Sequence, residues 1–159
     1  ILIDDIDINE DIVNFRSLFG YVPQEIHLID DTLERNITLN IDDKTNLDFL
    51  ENSLKISQLK KFVETNSIKY QVGERGSKLS GGQIKRLGLA RSLYNLPKIL
   101  IIDEGTSGID IQTEEEIINE LVSSDYTKNM TIIFIAHKLN LKKYFKTNTK
   151  ISNKKILLD

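Results

Sequence analysis

Three groups of residues in this 159-residue chain could do chemistry. The apolar run Ile99-Leu100-Ile101-Ile102 ends in two adjacent carboxylates, Asp103 and Glu104. A buried strand with that ending delivers both to its C-terminal edge, which is where open α/β sheets bind ligands. Adjacent residues there can divide the labour: Asp103 would hold Mg²⁺ directly or through water and Glu104 would orient and polarise an attacking water, the competing reading being a polar strand end entering a turn. The second group is Ser80-Gly81-Gly82-Gln83. A helix N-terminus offers unpaired N–H groups and a positive dipole end to an anion, glycine lets a phosphate approach, and the Ser80 hydroxyl adds a donor. For Ser-Gly-Gly alone the competing reading is a capped surface helix. The third group is His137, directly after the apolar run Thr131 to Ala136. It shares the sheet edge with Asp103 and can donate a hydrogen bond to a phosphoryl oxygen near neutral pH. His27 has no such setting and reads as a loop residue.

The elements that must position these groups are legible as patterns. Ile99–Asp103 and Thr131–Ala136 are short, β-branched apolar runs and predict buried parallel strands. Between them, Gln112 to Val122 predicts a helix with Ile117, Ile118, Leu121 and Val122 on one face and Glu114, Glu115 and Glu116 in its first turns. Strand, helix, strand is the order of a crossover. Ser80 to Tyr94 predicts a second helix, opened by a capping box of Ser80 and Gln83, with Ile84, Leu87, Leu89, Ala90 and Leu93 as its apolar side and Pro97 beyond its end. Asp31-Thr32 can cap a short helix through Leu39, Asn40 to Asn46 reads as a loop, and Leu47 to Thr65 as helical with one or two breaks.

Composition sets bounds. With 40% apolar residues, the chain has material for one core. Twenty-one basic against 24 acidic side chains leave a net charge of −3, no field for a polyanion, so nucleic acid is not an expected partner. The basic residues Lys138, Lys142, Lys143 and Lys146 read as a solvated face. With no cysteine, thiol catalysis and thiolate metal sites are excluded. No apolar stretch approaches the roughly 18 to 20 residues that cross a bilayer. The chain begins with Ile1 and its one methionine is Met130, which suggests a fragment or a processed piece.

These residues resemble the nucleotide-binding domain of ABC transporters over most of the chain. Leu79-Ser80-Gly81-Gly82-Gln83 looks like the signature motif and Ile99–Glu104 like Walker B. Ser107-Gly108-Ile109-Asp110 is similar to the D-loop, Ile135-Ala136-His137 to the switch-histidine loop and Gly20-Tyr21-Val22-Pro23-Gln24 to the Q-loop. Val72-Gly73-Glu74-Arg75-Gly76 resembles the segment before the signature in exporters. The resemblance implies an α/β fold: a P-loop NTPase-like parallel sheet core with a helical signature-motif subdomain at about 25–95 and the C-terminal part of the catalytic core at about 96–159. It implies ATP and Mg²⁺ as cofactors, with Gln24 sensing nucleotide and helping to ligate the metal, Asp103 supporting the metal, Glu104 as general base and His137 on the γ-phosphate. Ser80, Gly81, Gly82 and Gln83 would act in trans, on ATP held by a second nucleotide-binding domain in a head-to-tail dimer, with Asp110 coupling the two sites. A transmembrane domain, fused in the complete protein, is the other implied partner, at the cytoplasmic face of the plasma (inner) membrane.

One departure stands out. The family's phosphate loop, G-x-x-x-x-G-K-[ST], is absent from these residues. Ile1-Leu2-Ile3-Asp4 resembles the strand shortly after that loop, so the expectation is a domain incomplete at its N-terminus and an isolated chain that binds ATP negligibly. Near the other end, Asn153-Lys154 is read as replacing a glycine turn. Two readings compete with an exporter ATPase: a non-catalytic partner domain lending only its signature motif in trans, and a soluble ABC ATPase of DNA-repair type, which the absence of a basic surface disfavours.

Overall fold

A computed structural model describes residues 2–3, 6–7, 9, 12–40, 44–137, 139–152 and 155–158. The expected glycine-turn replacement at Asn153-Lys154, Lys138 and part of the Asn40–Asn46 loop lie outside the described residues. An antiparallel pair, β1 (Leu2–Ile3) and β2 (Ile6–Asp7), precedes helix α1 (Ile12–Ser17) and strand β3 (Phe19–Val22). Helices α2 (Leu33–Thr38), α3 (Leu47–Ile56), α4 (Lys60–Asn66) and α5 (Gly81–Tyr94) follow. Then come β4 (Ile99–Asp103), α6 (Ile111–Ser123), β5 (Thr131–Ile135) and an antiparallel pair, β6 (Thr149–Ser152) with β7 (Lys155–Leu158). The result is mixed α/β around a parallel sheet in the order β3-β4-β5.

Both runs expected as strands are parallel neighbours, joined through α6, with Asp103 beside Ile135. Burial corrects one of them. β4 is central, with Leu100 and Ile102 fully buried, but β5 is covered on one face only: Ile132 and Phe134 pack inward while Ile133 and Ile135 stand 46% and 47% exposed. Strand alternation makes this one face of the whole sheet, since Phe19 and Tyr21 of β3 are exposed as well. β3 itself has no strand pattern in the sequence. Pairing with β4 makes it one, and Gly20 lets α5 lie against it, because a Cβ there would come within 2.6 Å of the Ser92 carbonyl oxygen.

The capping box of α5 forms as expected: the Ser80 hydroxyl accepts from the Gln83 N–H at 3.2 Å, and the Gln83 side-chain oxygen accepts from the Ser80 N–H at 2.7 Å. Its single apolar side does not. Leu87, Ala90 and Tyr94 enter a core with α2 and α3, while Leu89 and Leu93 enter another with β3, β4 and α6. A helix buried between two layers needs apolar residues on more than one face. In α6, Ile117, Ile118 and Leu121 are buried, whereas Val122, expected on that face, is 47% exposed. Thr32 caps α2, and the segment from Leu47 breaks once, between α3 and α4, around Gln58 at φ +58°.

Candidate functional site

Parallel strands in register end at one edge, and here they bring together residues far apart in sequence. Gln24 follows β3, Asp103 and Glu104 close β4, and His137 follows β5. Gln24 Nε2 donates to Glu104 Oε2 at 3.0 Å, and His137 Nε2 lies 2.8 Å from Glu104 Oε1. Each oxygen of the Glu104 carboxylate therefore has one partner. An ionised carboxylate offers about four lone-pair sites, so a water can still be accepted. The Glu104 side chain is 26% exposed and that of His137 is 90% exposed, making this an open ledge.

Glu104 is held by strained backbone. Its φ is +49°, the left-handed region that costs a residue with a Cβ about 1–2 kcal/mol. Two hydrogen bonds enforce the turn: the Glu104 N–H donates to the Ile135 carbonyl at 3.0 Å, and the Ser107 N–H donates to the Glu104 carbonyl at 3.0 Å. Strain maintained in this way is a mark of functional sites. Beside it, the Tyr21 hydroxyl donates to Asp103 Oδ2 at 3.2 Å. The Tyr21 phenol is pushed up from its ordinary value by desolvation, and further by the hydrogen bond to Asp103 and the charge of that carboxylate.

The Ser80 helix is not part of that ledge, but it grips the segment carrying Gln24. Lys85 Nζ donates to the Gln24 carbonyl, Arg91 Nη1 donates to the His27 carbonyl at 2.9 Å, and Gly88 makes room for Ile26. Arg91 also donates from Nε to the Asn36 carbonyl at 2.7 Å, and Asn36 Oδ1 accepts the Ile29 N–H at 3.0 Å. His27 is a loop residue, as expected, with its carbonyl in use.

At the start of α5 the capping box occupies the N–H groups of Ser80 and Gln83. The N–H groups of Gly81 and Gly82 lie in the first turn, where no intrahelical acceptor exists. An ideal Cβ on Gly81 would meet nothing within 4 Å, and one on Gly82 only the Gly108 carbonyl oxygen, at 3.9 Å. The face is open to an approaching anion, and the Ser80 hydroxyl keeps its own proton to donate. Asp110 caps α6, its side chain accepting from the Thr113 N–H at 2.9 Å. That bond, more than the nearby Arg86 guanidinium, holds the Asp110 carboxyl below its ordinary value.

All the expected site residues are described. Gln24, Asp103, Glu104 and His137 converge, while Ser80, Gly81, Gly82 and Gln83 form a separate exposed helix start near the Gly108–Asp110 turn. Sequence reading passed over Tyr21, Lys85 and Arg91 as contributors. Tyr21 emerges only from register: once β3 is aligned with β4, Tyr21 pairs Ile101 and shares a face with Asp103.

The chain is similar in sequence and fold to known proteins. The profile of the family described as ABC transporter matches residues 1–107. An ATP-dependent lipid A-core flippase of Vibrio vulnificus (strain CMCP6) is 34% identical over 143 residues, covering 88% of this chain and 24% of the relative. The flippase of the same name from Francisella tularensis subsp. tularensis (strain SCHU S4 / Schu 4) is 37% identical over 143 residues, 88% of this chain and 23% of that protein. Among solved structures, a bacterial Atm1-family ABC exporter with ATP bound superposes with a TM-score of 0.77 at 34% identity, over 87% of this chain and 24% of that one. This chain thus spans about a quarter of the length of these relatives.

Proposed function

This chain belongs to the ABC transporter family, as part of the nucleotide-binding domain of an exporter, and from that premise we propose that its residues hydrolyse ATP to drive transport. The observation that carries the proposal is the convergence of Gln24 and His137, from two other strands, on the strained carboxylate Glu104. Glu104 is the general base. It takes a proton from a water held on a free lone pair, while Gln24 fixes the orientation of its carboxylate. His137, whose Nε2 meets Glu104 here, would turn that N–H to a γ-phosphate oxygen when nucleotide is bound.

Mg²⁺ fits the donor set. The described residues include no cluster of three or more acidic, histidine or cysteine ligands. Mg²⁺ in nucleotide sites is held by one or two protein oxygens together with phosphates and waters. Asp103 supplies a carboxylate, and Gln24 keeps its side-chain carbonyl oxygen while its amide serves Glu104. When bound, the metal would neutralise charge developing on the transferred phosphoryl group.

Ser80, Gly81, Gly82 and Gln83 serve a different nucleotide, held by a second nucleotide-binding domain in a head-to-tail dimer, with Asp110 at the turn between the two sites. The open faces of Gly81 and Gly82 support this. A transmembrane domain at the cytoplasmic face of the membrane receives the motion through the segment after Gln24, which the Ser80 helix grips. A reading in which the chain lends only its signature motif leaves the Glu104 geometry without a use.

The test is Glu104→Gln in the full-length protein. Retained ATP binding with hydrolysis reduced roughly 10²- to 10⁴-fold, the usual range for a lost general base, is the expected result. Unchanged hydrolysis would reject the assignment.

A further inference from the structure

We infer that Tyr21 is a positioning residue that orients Asp103 for its metal, an inference that rests on the role proposed above for Asp103. Tyr21 pairs Ile101 in the parallel ladder, and Asp103 lies two residues further along β4 on the same face. Such diagonal neighbours are within reach of an aromatic side chain, and the Tyr21 hydroxyl closes the gap, donating to Asp103 Oδ2 at 3.2 Å.

Tyr21 lies on the sheet face turned away from α5 and α6, an apolar face shared with Phe19, Ile133 and Ile135, where a leucine or phenylalanine would suit as well. The hydroxyl acts on the carboxylate. By occupying Oδ2 it restricts rotation of the Asp103 carboxyl and leaves Oδ1 free. A phenol is a neutral donor, so it orients the carboxylate without cancelling its charge, whereas a lysine or arginine in its place would compete with the cation. Hydrogen bonds to metal-binding carboxylates tune affinity, typically by 10- to 100-fold. A bond of 3.2 Å is longer than the usual O–H···O range and belongs below that effect, at about fivefold.

The experiment uses the full-length protein with ATP in a Glu104→Gln background, which separates metal binding from turnover. Mn²⁺ affinity is read by electron paramagnetic resonance, and the Mg²⁺ concentration giving half-maximal hydrolysis is read in the otherwise native protein. Tyr21→Phe, which keeps the ring and removes one oxygen, is expected to weaken Mn²⁺ binding about fivefold and to raise the Mg²⁺ requirement similarly. In an Asp103→Asn background the same change should have no further effect, because it acts through that carboxylate. Should Asp103→Asn weaken Mn²⁺ binding and Tyr21→Phe leave it unchanged, Tyr21 has no such role and the role of Asp103 stands. If Asp103→Asn itself leaves Mn²⁺ binding unchanged, the role of Asp103 falls, and the inference about Tyr21 with it.

Discussion

Gly88→Ala sets two physical effects against each other, and the structure decides the sign. Gly88 lies inside α5, where alanine is normally better than glycine by about 1 kcal/mol. Propensity alone therefore predicts a more stable protein. Packing predicts the reverse: an ideal Cβ on Gly88 would sit 2.4 Å from Cδ1, 2.8 Å from Cγ1 and 3.0 Å from Cγ2 of Ile26. Because both γ carbons of that β-branched side chain are too close, a rotamer change alone cannot clear the clash, and the segment Gln24–Leu28 must lift from the helix. Overpacking of this kind costs about 1–3 kcal/mol. The net expectation is a loss of about 1 kcal/mol, read as a lower urea midpoint at unchanged m-value. In an Ile26→Ala background, where the clashing carbons are gone, Gly88→Ala should instead raise the midpoint. A raised midpoint for Gly88→Ala in the native background would refute the packing argument. If Gly88→Ala does lift the segment, Gln24 should lose its hold on Glu104, and ATP hydrolysis should fall at temperatures where the variant is fully folded.

Two further predictions separate stability from function and test burial. Gly81→Ala has open space for its methyl group, so unfolding should be unchanged or slightly improved while hydrolysis falls, because the methyl occupies the surface a phosphate must approach; a variant with unaltered turnover would count against that use of the helix start. Tyr126, whose hydroxyl donates to the Leu93 carbonyl, is pushed up to about 12 by burial, so in an ultraviolet titration it should ionise well after an exposed tyrosine. Its raised value favours the fold fully below pH 10, and that contribution is lost as pH rises through about 12; Tyr126→Phe should remove the late ionisation, and a late step that survives the substitution would assign it elsewhere.

The sequence by itself determined the elements whose signals are local. The capping box at Ser80 and Gln83, the apolar run ending at Asp103 and the acid-led helix α6 each depend on residues within a few positions of one another, and each formed. The order of those pieces was also enough to indicate the family. What tertiary structure decided depends on pairing between distant segments. β3 became a strand because β4 offered a ladder and Gly20 allowed α5 to close over it. α5 lost its single apolar side because layers packed against it from two directions. The partners of Glu104, 80 residues away at Gln24 and across the ladder at His137, and the bond from Tyr21 to Asp103 exist only once three strands lie in register. Residue types near one another in sequence announce an element; which side chains meet at a sheet edge is settled by register, and register is a property of the assembled fold.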